Sequence, residues 1–167
     1  MRELTFGIVV SLLMGAAAGA QTLDAQLIAP IQKFIDSFNK GDMASAAATH
    51  AAEADLVIID EVPPFLWRGA RAFQQWSTDL GNDAKKQGIT DQMVKIGAPT
   101  RTETNGDQAY VVTPAVYTFK ERGVAMRETA QMTFALRKGP GGWLIHGWTW
   151  TGPKPTGTAK KSTPKSK

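Results

Sequence analysis

The segment that decides the fold is LVIIDEVPPFLWRG, residues 56–69. It begins with a run of aliphatic and β-branched residues, which is typical of a strand with at least one buried face. The run ends at Asp60, and Pro63 and Pro64 then end regular strand pairing and bend the chain. The segment therefore predicts a buried strand that delivers a carboxylate to its end. Such a carboxylate is either a candidate general base or an ordinary solvated side chain.

Helical periodicity appears on both sides of this segment. Residues 23–39 have apolar side chains at the spacing of one stripe of an amphipathic helix. Asp42 is placed to cap a second, alanine-rich helix over residues 43–52. A third helix is predicted over residues 70–80, and the sequence Gly-Asn-Asp at 81–83 is expected to interrupt it. The apolar positions are Leu27, Ile31, Phe34, Ile35 and Phe38 in the first helix and Phe73, Trp76 and Leu80 in the third.

After Gly88 the apolar residues alternate with polar ones, which predicts strands rather than helices. The Asn105-Gly106 dipeptide is a strong signal for a hairpin turn, and Pro114 predicts a bulge or an irregular edge in the following strand. Three helices followed by long antiparallel strands indicate the α+β class. The predicted strands span residues 89–101, 108–120, 124–138 and 143–151.

The first 20 of the 167 residues have the pattern of a secretory signal peptide. A charged start is followed by a short apolar run and by small residues that end at Ala20, so cleavage is expected before Gln21. The alternative is an uncleaved N-terminal anchor. The chain has no cysteine, which excludes disulfides and a lipid-modified cysteine. We predict a periplasmic or secreted bacterial protein that is stabilised by its core alone.

The formal net charge of +4 is concentrated in the C-terminal segment PKPTGTAKKSTPKSK, residues 153–167. Without its five lysines and without the signal peptide, the remaining body is nearly neutral. The segment lacks apolar residues that could be buried, so we expect a disordered tail. Its lysines could bind anionic surfaces loosely, but such a tail is more often simply solvated, and no specific nucleic-acid partner is predicted.

The order of these landmarks resembles the nuclear transport factor 2-like superfamily, in its SnoaL-like and ketosteroid isomerase-like branch. Residues 38–42 resemble the N-x-G-D exit from the first helix of that family, and residues 142–146 match its G-W-x-I entry into the last strand. Between these two motifs, three further landmarks of the family are matched: the strand that ends at Asp60, the glycine at position 69 and the helix that follows it. The resemblance covers about residues 23–152, and we assign the domain to residues 21–152. It implies three N-terminal helices packed on a curved antiparallel sheet, a conical pocket, and often a homodimer.

The resemblance carries over only part of the isomerase site. Asp60 lies where the family has its general base. The oxyanion tyrosine of the family corresponds to Phe34, and its second donor, a protonated aspartate, corresponds to the region of Met132, where no carboxylate occurs between Thr129 and Phe134. A site with a base but without donors for the developing oxyanion is a poor steroid isomerase.

Three residues are candidates for catalysis. Asp60 is the first, as a base with a raised pKa in an aromatic pocket. His50 could pair with Asp60, as in the resembling scytalone dehydratase group, or could merely lie at a helix end. Tyr117 matches an inward position and could offer a hydroxyl to a ligand. The predicted ligand-binding residues are Phe34, Phe65, Trp67, Trp76, Met132 and Phe134.

The last strand leaves a choice between pocket and interface. By alternation, His146, Trp148 and Trp150 share one face. An ungapped match to the isomerase places Ile145 inward, which favours a dimer interface for the tryptophan face. On the neighbouring strand, the adjacent Arg127 and Glu128 lie on opposite faces, so at most one of them lines the cavity.

No metal or cofactor is predicted, because two distant histidines without cysteine give no ligand spacing and no phosphate-binding loop or catalytic Ser-His-Asp pattern is present. Three functions follow. The first is a pocket that binds a small apolar or aromatic molecule without chemistry. The second is a cofactor-free lyase or isomerase that acts on a small carbonyl or hydroxy compound with Asp60 as base. The third is a dimeric interaction module.

Overall fold

The computed structural model describes residues 15–158, with side chains from residue 24 onward. Helix α1 spans Gly15–Asn39, α2 spans Met43–Ala47 and α3 spans Ala72–Gln87. The first 14 residues of the predicted signal peptide lie outside the described residues, and α1 runs through the predicted cleavage point. Signal peptide, cleavage and export therefore stay predictions.

All three helices differ from their predicted lengths, and α1 begins at Gly15 rather than at residue 23. Helix α2 begins where Asp42 accepts a hydrogen bond from the Ser45 amide at 3.0 Å, as predicted, but it ends at Ala47, before the predicted end. Helix α3 is not interrupted at Gly81, since a single glycine costs only about 1 kcal/mol in a helix and Ala84 is buried beyond it. It ends at Gly88, whose φ of 71° is the left-handed conformation of a helix cap.

Eight strands form one mixed sheet in the order β2-β1-β7-β6-β5-β3, with β4 on β5 and β8 on β6. All pairs are antiparallel except β1 with β7, which run parallel. The α+β class is confirmed, and the mostly antiparallel sheet contains one parallel pair that was not predicted. The bounds are Val57–Ile59 for β1, Leu66–Arg68 for β2, Ile89–Ile96 for β3, Arg101–Asn105 for β4, Gln108–Glu121 for β5, Val124–Gly139 for β6, Gly142–Thr151 for β7 and Thr156–Gly157 for β8.

The strand predicted over residues 89–101 is divided into β3 and β4, which both pair with β5. Pro114 lies in β5 between these two partners, and its carbonyl accepts a hydrogen bond from the Gly97 amide at 2.9 Å. A proline is accommodated there because its missing N–H faces the gap between the two strands. The hairpin at Gly106 forms as predicted, with Asn105 opposite Gln108.

A β-bulge in β7 changes which residues face the core. Leu136 pairs with Ile145 and Ala135 pairs with Gly147, so His146 is an extra residue. Because alternation restarts after a bulge, Ile145 and Trp148 both point inward and are buried. The prediction that His146 shares a face with Trp148 was wrong for this reason.

The segment after β7 returns to the sheet. Strand β8 pairs with β6, where Arg127 lies opposite Thr156, and the Thr158 amide donates to the Ala125 carbonyl at 2.9 Å. Residues 153–158 are therefore ordered on the sheet, contrary to the expectation of a tail that is disordered from Pro153. Residues 159–167 lie outside the described residues. No helix within residues 15–158 has both the length and the apolar character needed to cross a membrane.

Candidate functional site

A cavity of about 590 Å³ lies between the helices and the sheet. Helices α1 and α3 form one side of it, and strands β3, β5, β6 and β7 form the other. Its volume and apolar walls suit a small organic ligand. The aromatic side chains that line it are Phe34, Phe38, Trp76, Tyr117, Phe119, Trp148 and Trp150.

Asp60 lines this cavity at the end of β1, as the sequence predicted. Its Oδ2 accepts a hydrogen bond from Trp76 Nε1 at 2.6 Å, and its Oδ1 accepts one from the Glu61 amide at 2.7 Å. These two bonds fix the orientation of the carboxyl group. Burial raises the pKa of Asp60 above its usual value, and the two hydrogen bonds oppose that rise.

Glu61 also lines the cavity. Burial, the Glu128 carboxyl group and the charge of Asp60 raise the pKa of Glu61 to about 8. Glu61 was not predicted to be a site residue.

Glu128 is the most buried carboxyl group of the described residues, with 1 % of its surface exposed. Its Oε1 accepts a hydrogen bond from Trp150 Nε1 at 2.7 Å, and its Oε2 has no partner among the described residues. The sequence contained a signal for it, because the inward alternation of β6 at Ala130 and Met132 continues backwards to Glu128.

Tyr117 lines the cavity with its ring stacked on Phe119 at a centroid distance of 4.6 Å. Its hydroxyl donates a hydrogen bond to Gln92 Oε1 at 2.6 Å. Burial and the nearby carboxylates raise the pKa of Tyr117, so the hydroxyl stays protonated.

His50 does not pair with Asp60, so this hypothesis is corrected. The ring is buried and accepts a hydrogen bond from Trp148 Nε1 at Nε2, at 3.1 Å. With Nε2 as acceptor, Nδ1 carries the proton and lies 3.0 Å from the Ala46 carbonyl. Burial lowers the pKa of His50 to about 4, so it is a neutral core residue and it does not line the cavity.

Residues 28–148 match the SnoaL-like domain family. This chain belongs to the SnoaL-like domain family. No curated protein matched the sequence.

Solved structures confirm that this SnoaL-like domain has the nuclear transport factor 2-like fold. An NTF2-like superfamily protein from Salmonella enterica serovar Typhimurium is 18 % identical, with a TM-score of 0.66 over 89 % of this chain and 99 % of that one. A ketosteroid isomerase-like protein from Erwinia carotovora atroseptica is 21 % identical, with a TM-score of 0.60 over 78 % and 96 %. The hexachlorocyclohexane dehydrochlorinase LinA-type3 from Novosphingobium barchaimii is 14 % identical, with a TM-score of 0.68 over 86 % and 95 %.

Half of the predicted ligand-binding residues line the cavity of this SnoaL-like domain, namely Phe34, Trp76 and Met132. The others do not. Phe65 is 54 % exposed in the bend before β2, where its φ of 74° and its backbone bond to Val62 direct it outward. Phe134 is buried in the core without reaching the cavity.

Trp67, also predicted to bind ligand, is buried and donates from Nε1 to Asp79 Oδ2 at 2.8 Å. It thus forms a tryptophan–aspartate pair outside the cavity, similar to that of Trp76 and Asp60. The two pairs differ in what surrounds the carboxylate, which makes Asp79 a matched control for Asp60.

Trp148 and Trp150, which the sequence favoured for a dimer interface, line the cavity instead. His146 lies apart from them, with Nε2 3.1 Å from Glu53 Oε2 and Nδ1 3.4 Å from Asp55 Oδ1. The structure thus groups three residues of metal-ligating type that are distant in sequence. Arg137 already supplies their positive charge, at 2.9 Å from Glu53 and 3.1 Å from Asp55, and we place no metal there.

Proposed function

We propose that this SnoaL-like protein binds a small apolar or aromatic carbonyl or hydroxy compound and removes a proton from it with Asp60, as a cofactor-free lyase or isomerase. One observation carries the proposal. Asp60 is a carboxyl group of fixed orientation and raised pKa that faces an aromatic cavity of about 590 Å³. A general base needs this combination of access to substrate and increased proton affinity.

The aromatic walls support the binding step. Phe34, Trp76 and Trp148 contact one another with ring centroids 5.0 to 6.1 Å apart, which gives a rigid apolar surface beside Asp60. A flat apolar molecule gains most from such a surface, since aromatic pairs add to the free energy of burial. The pKa of a carboxylate in such surroundings rises further when a ligand displaces water.

Two of the structural neighbours are named for reactions of this kind, a dehydrochlorinase and a ketosteroid isomerase-like protein. Their identities to this chain are low, so they support a reaction class and not a substrate.

The test is turnover of a panel of alicyclic and aromatic ketones and β-hydroxy ketones, followed by absorbance. We expect Asp60→Asn to lower the rate by about 100- to 10,000-fold, the range of general base catalysis. Asp79→Asn is the matched control, because Asp79 also accepts a tryptophan N–H but lies outside the cavity. Equal rates for wild type and Asp60→Asn on a turned-over compound would contradict the proposal.

A homodimer is a second proposal, which now rests on the edge of the sheet. Strand β2 is an edge strand, and Phe65, Leu66 and the neighbouring Ile59 are exposed there by 54 %, 42 % and 47 %. Exposed apolar side chains beside an edge strand favour association. Sedimentation of wild type and Phe65→Ser at tens of micromolar tests it, and a wild-type monomer would contradict it.

Export to the periplasm or medium is a third proposal, based on the N-terminal sequence pattern. Mass spectrometry of the protein expressed with its N terminus intact in a bacterial host tests it. A mature chain that starts at Gln21 is expected, and an intact chain retained in the cytoplasm would contradict the proposal.

A further inference from the structure

Two glutamates face each other at the edge of the cavity. Glu61 lines the cavity, and Glu128 lies behind it on β6, almost completely buried. Their side chains are close enough for a hydrogen bond between the two carboxyl groups. This contact joins residues that are far apart in sequence and places a second acidic group beside Asp60.

One carboxyl oxygen of Glu128 has no hydrogen-bond partner among the described residues. Oε1 is satisfied by Trp150, but among the described residues Oε2 has no partner that carries a hydrogen atom. Within the same part of the chain, neither Glu61 nor Glu128 forms an ion pair with lysine or arginine. Two ionised carboxylates only accept hydrogen bonds, so a bond between them requires a proton on one of them. A shared proton would also give Glu128 Oε2 its missing partner.

We propose that Glu61 and Glu128 share one proton and that this pair is the proton donor of the cavity, acting on the oxygen of a carbonyl or hydroxyl ligand whose C–H group faces Asp60. The inference rests on the proposed function. It names a hydrogen-bond donor for the substrate oxygen, in place of the two oxyanion donors of the isomerase that this chain lacks. Glu61 is the member of the pair that touches the ligand. Glu128 acts through Glu61 and is a positioning residue.

The proposed step balances without a cofactor. In a β-hydroxy ketone, Asp60 takes the proton from the carbon next to the carbonyl group, and that electron pair forms the new C=C bond. The C–O bond breaks, and the leaving hydroxyl receives the proton of the glutamate pair and departs as water. Asp60 is then protonated and the pair is anionic, so transfer of one proton from Asp60 to the pair restores the starting state. In a simple ketone the same proton goes to the carbonyl oxygen and gives the enol.

The surrounding charges favour the protonated pair. Burial, the hydrogen bond and charge of Glu128 and, last, the charge of Asp60 raise the pKa of Glu61 to about 8. Among the basic side chains that the structure describes, only Lys154 lines the cavity. The titratable groups that face the pair or line the cavity around it are Asp60 at the end of β1, Asp83 on α3, Tyr117 and Glu121 on β5, and Lys154 before β8.

The first experiment is a carboxyl ¹³C NMR titration of the full chain labelled at glutamate. We expect Glu61 to keep a proton through about pH 7 in the wild type, and to lose it at a clearly lower pH in Glu128→Gln, where the facing charge is removed. Glu103→Gln is the control, since Glu103 is exposed on β4 and pairs with Arg101, away from the cavity. Two glutamates that titrate independently near their ordinary values would overturn the shared proton.

The second experiment uses acetophenone, whose carbonyl oxygen accepts a hydrogen bond and cannot donate one. Its affinity for the wild type should fall by about tenfold between about pH 6 and pH 9, because the donor proton is lost. In Glu61→Gln the fall should disappear, since an amide remains a donor at every pH. Affinity that does not depend on pH in the wild type, an unchanged fall in Glu61→Gln, or no saturable binding would each overturn the donor role.

These results separate the two proposals. Asp60→Asn with undiminished turnover would remove the base and leave the donor pair standing if the titration and the acetophenone profile are as expected. A normal titration of Glu61 with turnover that depends on Asp60 would remove the pair and leave the base.

Discussion

Trp76 and Trp148 contact each other, with ring centroids 5.0 Å apart, but their N–H groups donate to acceptors in different environments. Trp148 donates to His50, and the ring of His50 is closed off by the Ala46 carbonyl on its other side. We call this the histidine corner. Trp76 donates to Asp60, which together with Glu61 and Glu128 forms the acid corner, open to the cavity.

The two corners differ in whether their polar atoms are satisfied. Both ring nitrogens of His50 have partners in the core, so burial fixes its neutral form and it is inert. In the acid corner three carboxyl groups crowd together, and Glu128 Oε2 lacks a partner among the described residues. A buried polar group with complete hydrogen bonds stabilises a fold, whereas a buried polar group that lacks a partner costs stability and calls for a functional explanation. Mutation of the histidine corner should therefore lower the stability of the fold, and mutation of the acid corner should lower activity.

The largest expected effect on stability comes from a mutation in the histidine corner. His50→Ala leaves Trp148 Nε1 without its acceptor and opens a void beside Phe34 and Phe73, so we expect a loss of about 3 kcal/mol in the free energy of unfolding. Urea unfolding measures it, and His50→Gln is the milder comparison. A loss below about 1 kcal/mol would show that this corner is not structural.

The pH dependence of stability should have opposite signs in the two corners. His50 has a pKa of about 4 in the fold and an ordinary value of 6.5, so its contribution is complete above pH 6.5 and is lost as the pH falls to about 4. This loss is on the order of 3 kcal/mol. The difference in unfolding free energy between wild type and His50→Gln should show it, and a flat difference would contradict it.

Glu61 should give the reverse slope and a smaller effect. Its pKa is raised from 4.5 to about 8, so its contribution is present below pH 4.5 and is lost as the pH rises toward 8. Glu61→Gln removes this loss. Because Glu61 is exposed by more than a third and solvent screens its charge, we expect the variant to be more stable than the wild type above pH 8 by no more than about 1 kcal/mol. Thermal unfolding across the pH range measures it, with Glu103→Gln as control. A destabilised Glu61→Gln would place Glu61 among the structural groups.

The smallest effect is expected at Tyr117, where the sequence predicted a catalytic hydroxyl. That hydroxyl already donates to Gln92, so Tyr117→Phe should lower turnover by less than about tenfold and stability by about 1 kcal/mol. A loss of turnover as large as that of Asp60→Asn would move Tyr117 into the catalytic group.

The sequence carried most of the fold because local signals agree along it. The stripe through Leu27 and Phe34 set α1, and the Asn105-Gly106 turn set the hairpin of β4 and β5. Pairings between distant segments had no such signal. The parallel pairing of β1 with β7 depends on tertiary packing, and so does the bulge at His146.

That bulge explains one part of the site that was not predicted, the inward face of Trp148. Asp60 was predicted because a β-branched run leads directly to it. The face of Trp148 stays open in the sequence, with a preference for the wrong one, because an alternating pattern contains no mark of one inserted residue. Glu128 follows the inward alternation, but the match to the isomerase points only to residues 129–134. The contact of Glu128 with Glu61 becomes visible only when the chain is folded.

Strand β8 has a practical consequence for anyone who handles this protein. Lys154 and Pro155 line the cavity, and β8 holds them there by pairing with β6. A chain truncated after Thr151, at the end of β7, would lose part of the wall and one of its charges. A fusion partner or affinity tag attached after Thr158 would leave this wall intact. The same tag attached directly to Thr151 would replace residues that line the cavity and would change the binding site.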